Sequence, residues 1–519
     1  MIISVKYQFL KFIKYGFHIL QPHSLESHQN VWGFDMLLKG KRRIVIVAGV
    51  TLVFAFVLFW WLLKGQPFNL GERIPGMDDR PKMETKSDTV IIGQFFDTLS
   101  QLDEIVAGDW PRFRGPDLDN ISKDTTPLAE SWDTSGPAIV WRTSLGEGYA
   151  GPAVHNGRVY LLDYNERKKA DALRCFSLIS GKELWRRWYY VDLKRNHGYS
   201  RTIPAVTDKY VVTIGPRSHV MCVDPVTGNM FWSIDLEKEF GIQGTEKGRI
   251  TPDFYTGQCP LIDNDIAVLA PGGKALMIGV DCASGKIVWQ TPNPDSLRMS
   301  HGSIMPMIIH GKRMYVYNAI GGVCGISAEK ADIGKLMWIT KEWSPATTAA
   351  SPLFLGNNEI AVFGSYGAGG ARIAISSTGL GYSATVKEQH KATNGLASDQ
   401  QTPIIIGNSI WSVLPENAGA LKKQLVCYKK SDLLTAVWSS GKENRFGRGL
   451  GPYIVSGNKL YLLDDDGKLY FYKIQDDKVT LISSHKVIKG IEAWGPMAIA
   501  GRYLIMRDSR NLLCLNIGK

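Results

Sequence analysis

Eight times between Pro152 and Pro496, at intervals of roughly 45–55 residues, a proline opens the same kind of phrase. The eight are Pro152, Pro204, Pro260, Pro306, Pro352, Pro403, Pro452 and Pro496. Gly151-Pro-Ala-Val-His-Asn-Gly-Arg-Val-Tyr-Leu-Leu-Asp163 and Gly451-Pro-Tyr-Ile-Val-Ser-Gly-Asn-Lys-Leu-Tyr-Leu-Leu-Asp464 are two copies. A fixed period of this length, with room for about four short strands per unit, predicts a propeller or a solenoid. Proline suits the first residue of a strand, where no ladder donor is lost.

The second half of each unit carries a hairpin and a tryptophan, as in Leu178-Ile-Ser-Gly-Lys-Glu-Leu-Trp185, Asp224-Pro-Val-Thr-Gly-Asn-Met-Phe-Trp232 and Asp281-Cys-Ala-Ser-Gly-Lys-Ile-Val-Trp289. The glycine supplies the positive φ of a tight turn. The indole, which removes roughly 150–250 Å² from water when buried, is placed to join neighbouring units. Trp338 and Trp438 continue the series; Tyr382 replaces the indole in the fifth unit, and the seventh reads Val479-Thr-Leu-Ile482.

The eighth unit stops at Leu515-Asn-Ile-Gly-Lys519, where its outer strand should begin. Upstream, Ser135-Gly-Pro-Ala-Ile-Val-Trp141 is an orphan copy of the missing piece. The pattern therefore predicts an all-β, eight-bladed propeller over 109–519, closed by an N-terminal strand. Closure removes open sheet edges.

Composition separates the rest of the chain from the ring. Ile44 to Leu63 holds no charged residue, and about 20 apolar residues span a bilayer core as a helix. Trp60 and Trp61 sit near one end, where indoles favour the interface. Lys39, Lys41, Arg42 and Arg43 precede the run and Lys64 follows it, so residues 1–43 are expected in the cytoplasm and the propeller in the periplasm or outside. The expected location is a bacterial inner membrane, crossed once by residues 44–63. Translation starting at Met1 and at Met36 are both open. Residues 64–108 read as a tether, irregular from Gly65 to Asp88, with apolar spacing from Thr89 to Val106 that predicts a short amphipathic helix.

The net charge of +11 divides into +5 before the apolar run and +6 in the remainder. That is too weak a bias on the ectodomain to indicate nucleic acid as a partner. Cys175, Cys222, Cys324, Cys427 and Cys514 occupy one repeat position. They are expected as free, buried small residues, too far apart for disulfides. Cys259 and Cys282 fall off that register, and no spacing suggests zinc.

The Asp-x-x-Thr/Ser-Gly-Lys-x-x-Trp units resemble the repeat of pyrroloquinoline quinone (PQQ)-type propellers, the family of quinoprotein alcohol dehydrogenases and the outer-membrane assembly factor BamB. Trp110-Pro-Arg-Phe-Arg-Gly-Pro116 and Leu145-Gly-Glu-Gly-Tyr-Ala-Gly-Pro-Ala-Val154 are similar to segments of membrane-anchored bacterial members. The resemblance runs from about Trp110 to Lys519 and specifies fold more than activity. In that entry segment Trp110 and Phe113 are expected to pin the chain to the ring, and a structural role is preferred for Arg112 and Arg114. The resemblance to dehydrogenases implies PQQ and Ca²⁺ over the channel, with carboxylate ligands, an aspartate base and often a pair of adjacent cysteines.

This chain has no adjacent cysteines, and the segments entering each first strand hold few acids, namely Glu147, Asp253, Asp399 and Glu492. Tyrosine, arginine and amide are commoner there. The candidate ligand residues at the channel rim are Tyr149, Arg201, Arg249, Tyr255, His301, Gln400, Arg448 and Trp494. They fit a small polar or anionic ligand or a protein partner. The expected function is binding or scaffolding with no cofactor and no catalytic residues, and the alternative is PQQ- and Ca²⁺-dependent oxidation of alcohols or sugars.

Overall fold

The computed structural model describes residues 33–63, 90–241, 254–379, 381–490 and 492–519. The chain divides into two compact units, Met1–Lys86 and Ser87–Lys519. In the first, a helix runs over Gly33–Leu63 and contains the apolar run. Among the described residues no helix is long and apolar enough to cross a membrane. The irregular tether expected at Gly65–Asp88 lies outside the described residues.

In the second unit the strands form eight sheets, each with the four consecutive strands of one repeat. Blade 1, for example, comprises Ala153–His155, Arg158–Asn165, Ala170–Ser177 and Glu183–Tyr190, all antiparallel. Blade 8 is the predicted exception. Its outer strand is Ala138–Ser144, paired antiparallel with Asn511–Asn516 from Ala138↔Asn516 to Ser144↔Asn511. First strands touch between blades 1 and 2, between blades 2 and 3, and between blade 8 and blade 1.

The glycine and tryptophan of the repeat are one device. Trp141, Trp185, Trp232 and Trp289 each lie on the hairpin glycine of the following blade: Gly181, Gly228, Gly285 and Gly334. A Cβ at those glycines would fall 2.5, 3.0, 2.6 and 2.8 Å from the ring. Positive φ and this close approach both require glycine there. The indole Nε1 of Trp141 donates to Leu178 O, and that of Trp232 to Cys282 O, each at 2.8 Å. All seven cysteines are free and buried, as small core residues between blades.

One expectation is corrected. The segment predicted as a helix up to Val106 instead forms a strand, Phe95–Thr98, on the outer edge of blade 1. Phe95 stacks on Trp188 with centroids 4.3 Å apart, and Asp97 accepts from the Trp188 indole at 3.0 Å. The unpaired backbone groups of an edge strand outcompete weak local helical spacing.

The entry segment runs past the blades in their order round the ring. Trp110 bridges Val154 of blade 1, Pro111 O accepts from Val206 N of blade 2 at 2.8 Å, and Arg112 Nη1 donates to Ile262 O of blade 3 at 3.3 Å. Phe113 and Leu118 pack on the apolar cluster shared by blades 4 and 5. Arg114 donates to Thr402 O (2.5 Å) and Pro403 O (3.0 Å) of blade 6. Ile121–Ser122 then pairs parallel with Tyr453–Ser456 of blade 7, and Asp124 accepts from Gly501 N of blade 8 at 3.1 Å. Fifteen residues, Trp110 to Asp124, thus touch every blade in turn.

Candidate functional site

Above that crossing segment lies a cavity of about 340 Å³, with Phe113, Arg114 and Asn120 at its base. Its wall comes from the loops that enter the first strands. These loops sit at the channel because each precedes a strand-opening proline. Tyr149, Arg201, His301, Gln400, Arg448 and Trp494, six of the eight sequence candidates, line it together. Arg249 lies outside the described residues, as does Asp253. Tyr255 does not line the cavity: its hydroxyl donates to Lys194 O at 2.6 Å and its ring stacks near Tyr199. Phe254, Tyr366, His197 and Gln401 line the cavity and were missed from sequence. Phe254 had a signal, lying beside Tyr255 in the same rim loop, and Tyr366 sits in the glycine-rich turn Gly364-Ser-Tyr-Gly-Ala-Gly-Gly370.

Arg201 sets the electrostatics. Its Nη2 donates to Asn196 O (2.8 Å) and His197 O (2.9 Å), and its guanidinium lies 5.5 Å from the Phe254 ring centre. Its Nε is buried without a partner among the described residues. Burial pulls the guanidinium down to about 10, so it stays cationic at neutral pH. Arg448 repeats the arrangement, 5.7 Å from the Trp494 ring centre. Tyr149 lies beside that ring at 5.2 Å, and its hydroxyl donates to Glu492 Oε2 at 2.5 Å. Arg114 is different: Nε donates to Leu118 O (2.8 Å) and Nη2 to Asp119 O (3.0 Å) beside the two blade 6 carbonyls. It spends four of its five N–H donors on these backbone carbonyls and so holds the entry segment in place.

Among the expected rim acids, Glu147 is spent on Arg195 and Arg510 and Glu492 on Tyr149. Only Asp399 lines the cavity. Burial pushes its carboxyl up to about 6, opposed by the Tyr366 N–H that donates to it at 3.0 Å. A calcium ion takes about six to eight oxygen ligands, usually with several carboxylates. Among the described residues one carboxylate shares the lining with Arg201 and Arg448, which does not fit a Ca²⁺–quinone pair, and no three His, Cys, Asp or Glu converge as a metal site.

His301 is enclosed, with Nε2 lacking a partner among the described residues. Burial, then the charge of Arg201, lowers it to about 3. A histidine depressed in the folded state adds stability above its ordinary value of about 6.5, which is lost as pH falls towards 3. Between pH 6.5 and 5 the loss is about 2 kcal/mol. Asp399, raised in the folded state, gives the opposite slope from about pH 4 to 6, so the test is comparative. His301→Asn is expected to flatten the acid limb of the melting-temperature profile; a variant retaining the wild-type slope contradicts this.

A protein-family model described as "Outer membrane protein assembly factor BamB" matches residues 168–432, just over half of the chain. No curated protein matches it. Among solved structures, a europium-containing methanol dehydrogenase is 11% identical, covering 79% of this chain and 98% of that one at a TM-score of 0.53. A quinohemoprotein alcohol dehydrogenase from Comamonas testosteroni is 11% identical, covering 79% and 81%, also at 0.53. BamB from Moraxella catarrhalis is 12% identical, covering 73% and 99% at 0.47. At such identities the two dehydrogenases share the fold alone.

Proposed function

The chain belongs to the propeller family described as outer membrane protein assembly factor BamB, and from that premise we propose that it is a membrane-anchored, outward-facing binding module. Its central cavity takes a small anionic ligand, and the ring around it serves as a scaffold for a protein partner. The observation that carries the reading is Arg201, a cation in the cavity wall whose Nε donor has no partner among the described residues. An anion supplies what that site lacks.

In melting-temperature measurements on the full chain in detergent, a panel of small carboxylates is expected to contain stabilising members. Arg201→Ala should abolish the stabilisation. No response from any member, or a response kept by the variant, contradicts the reading. Tight binding of PQQ with Ca²⁺, accompanied by alcohol-dependent dye reduction, would replace it with an oxidoreductase.

The anchor rests on the Ile44–Leu63 run within the helix and on the basic residues before it. Alkaline phosphatase fused after Lys519 is expected to be active in a bacterial host. An inactive fusion at normal expression contradicts the outward orientation.

A further inference from the structure

The lining of the cavity says more than that its ligand is an anion. Three buried nitrogens have no partner among the described residues: the donors Arg201 Nε and Trp494 Nε1, and His301 Nε2, which donates or accepts according to its tautomer. Buried polar groups of this kind cost free energy unless a partner completes them. On the blade 6 side, Asp399 and Gln400 add a carboxylate and an amide, groups that accept hydrogen bonds. Aromatic rings stand between these polar groups: Phe254 under Arg201, and Trp494 with Tyr149 under Arg448.

A ligand completing this wall needs a carboxylate for the guanidinium, hydroxyls that both donate and accept, and apolar C–H faces for the rings. A flat aromatic acid offers the first and packs well on the rings, yet brings nothing to donate to Asp399 or to the Gln400 oxygen. A neutral sugar brings hydroxyls and leaves Arg201 uncompensated. A carboxylated sugar supplies all three. The cavity, about 340 Å³, lies at the low end of small-ligand pockets, which run from about 300 to 1,000 Å³. Phe113, Arg114 and Asn120 of the entry segment line it, and a volume of this size holds one sugar residue, so a polymer is expected to present an end.

Resting on the binding-module reading above, we propose that the cavity recognises the carboxylated terminal residue of an acidic saccharide. The carboxylate sits on Arg201, the hydroxyls on Asp399 and Gln400, and the ring faces against Trp494 and Tyr149.

The experiment is calorimetric titration of the full chain in detergent with D-glucuronate, tetragalacturonate, the methyl ester of glucuronate, D-glucose and benzene-1,3,5-tricarboxylate. The two uronates are expected to bind, with the ester and glucose at least about tenfold weaker. Arg201→Ala should lose about 10–100-fold in uronate affinity. Arg448→Ala, at an exposed position, guards against a folding defect in the first variant and is expected to lose about fivefold or more. Asp399→Asn should weaken uronates and leave the tricarboxylate unchanged. Tighter binding of the tetramer than of the monomer assigns the site to a chain end; equal binding assigns it to the free acid, and both support a carboxylated sugar. Tricarboxylate binding above the uronates overturns the saccharide proposal and leaves the anion-binding module standing. Binding of no acid overturns both.

Discussion

A chain lacking Ala138–Ser144 is expected to lose cooperative unfolding altogether, although all eight proline phrases remain. This strand supplies the outer edge of blade 8, hydrogen-bonded along Asn511–Asn516. It also carries the clasp to blade 1. Trp141 is buried, its ring lies on Gly181 and its indole N–H donates to Leu178 O at 2.8 Å. Loss of the strand therefore unclasps the ring at one seam and exposes the backbone edge of Asn511–Asn516. The single variant Trp141→Ala removes the clasp and keeps the ladder, and should cost about 3–5 kcal/mol, a large share of the roughly 5–15 kcal/mol that stabilises a typical domain. Urea unfolding of wild type, Trp141→Ala and the deletion should rank in that order. A deletion variant that melts at the wild-type temperature contradicts closure by this strand.

The seam was legible because it repeats. Ser135-Gly-Pro-Ala-Ile-Val-Trp141 matches the tryptophan-bearing pattern of five other units, and a piece missing at one end with a copy at the other has one economical solution. The cavity was legible in part for a related reason. A residue just before a strand-opening proline must lie near the channel, which brought Tyr149, Arg201, His301, Gln400, Arg448 and Trp494 together. Tyr255 failed because the rule places a loop and not a side chain's direction; its neighbour Phe254 faces the cavity. Tyr366 was missed because it comes from a turn between second and third strands, where the rule does not apply. The strand Phe95–Thr98 was misread as part of a helix because its partner, the edge of blade 1, lies some ninety residues away, and local periodicity carries no information about it.

The channel floor was the least legible element, and its test is Arg114→Ala. From sequence, Trp110-Pro-Arg-Phe-Arg-Gly-Pro116 is a short aromatic and basic phrase with a place at the entry to the ring. What it does depends on carbonyls scattered over the chain: Leu118 and Asp119 nearby, Thr402 and Pro403 almost three hundred residues on. A fully buried guanidinium is costly to desolvate, and burial indeed pulls Arg114 down to about 10. Its hydrogen bonds to four carbonyls offset that cost. Arg114 also holds φ of 61°, so the turn it occupies is strained for any side chain and is retained by those bonds. Truncation leaves buried carbonyls without donors and frees the segment from blade 6, with an expected loss of about 3–5 kcal/mol. Arg114→Lys keeps the charge and cannot span the same carbonyls with one ammonium, so an intermediate loss is expected. The cavity base should soften in parallel, and any ligand that stabilises the wild type should stabilise Arg114→Ala less. Urea unfolding that places Arg114→Ala within about 0.5 kcal/mol of wild type, the range of ordinary surface changes, would mean that the crossing segment rests on the ring without holding it.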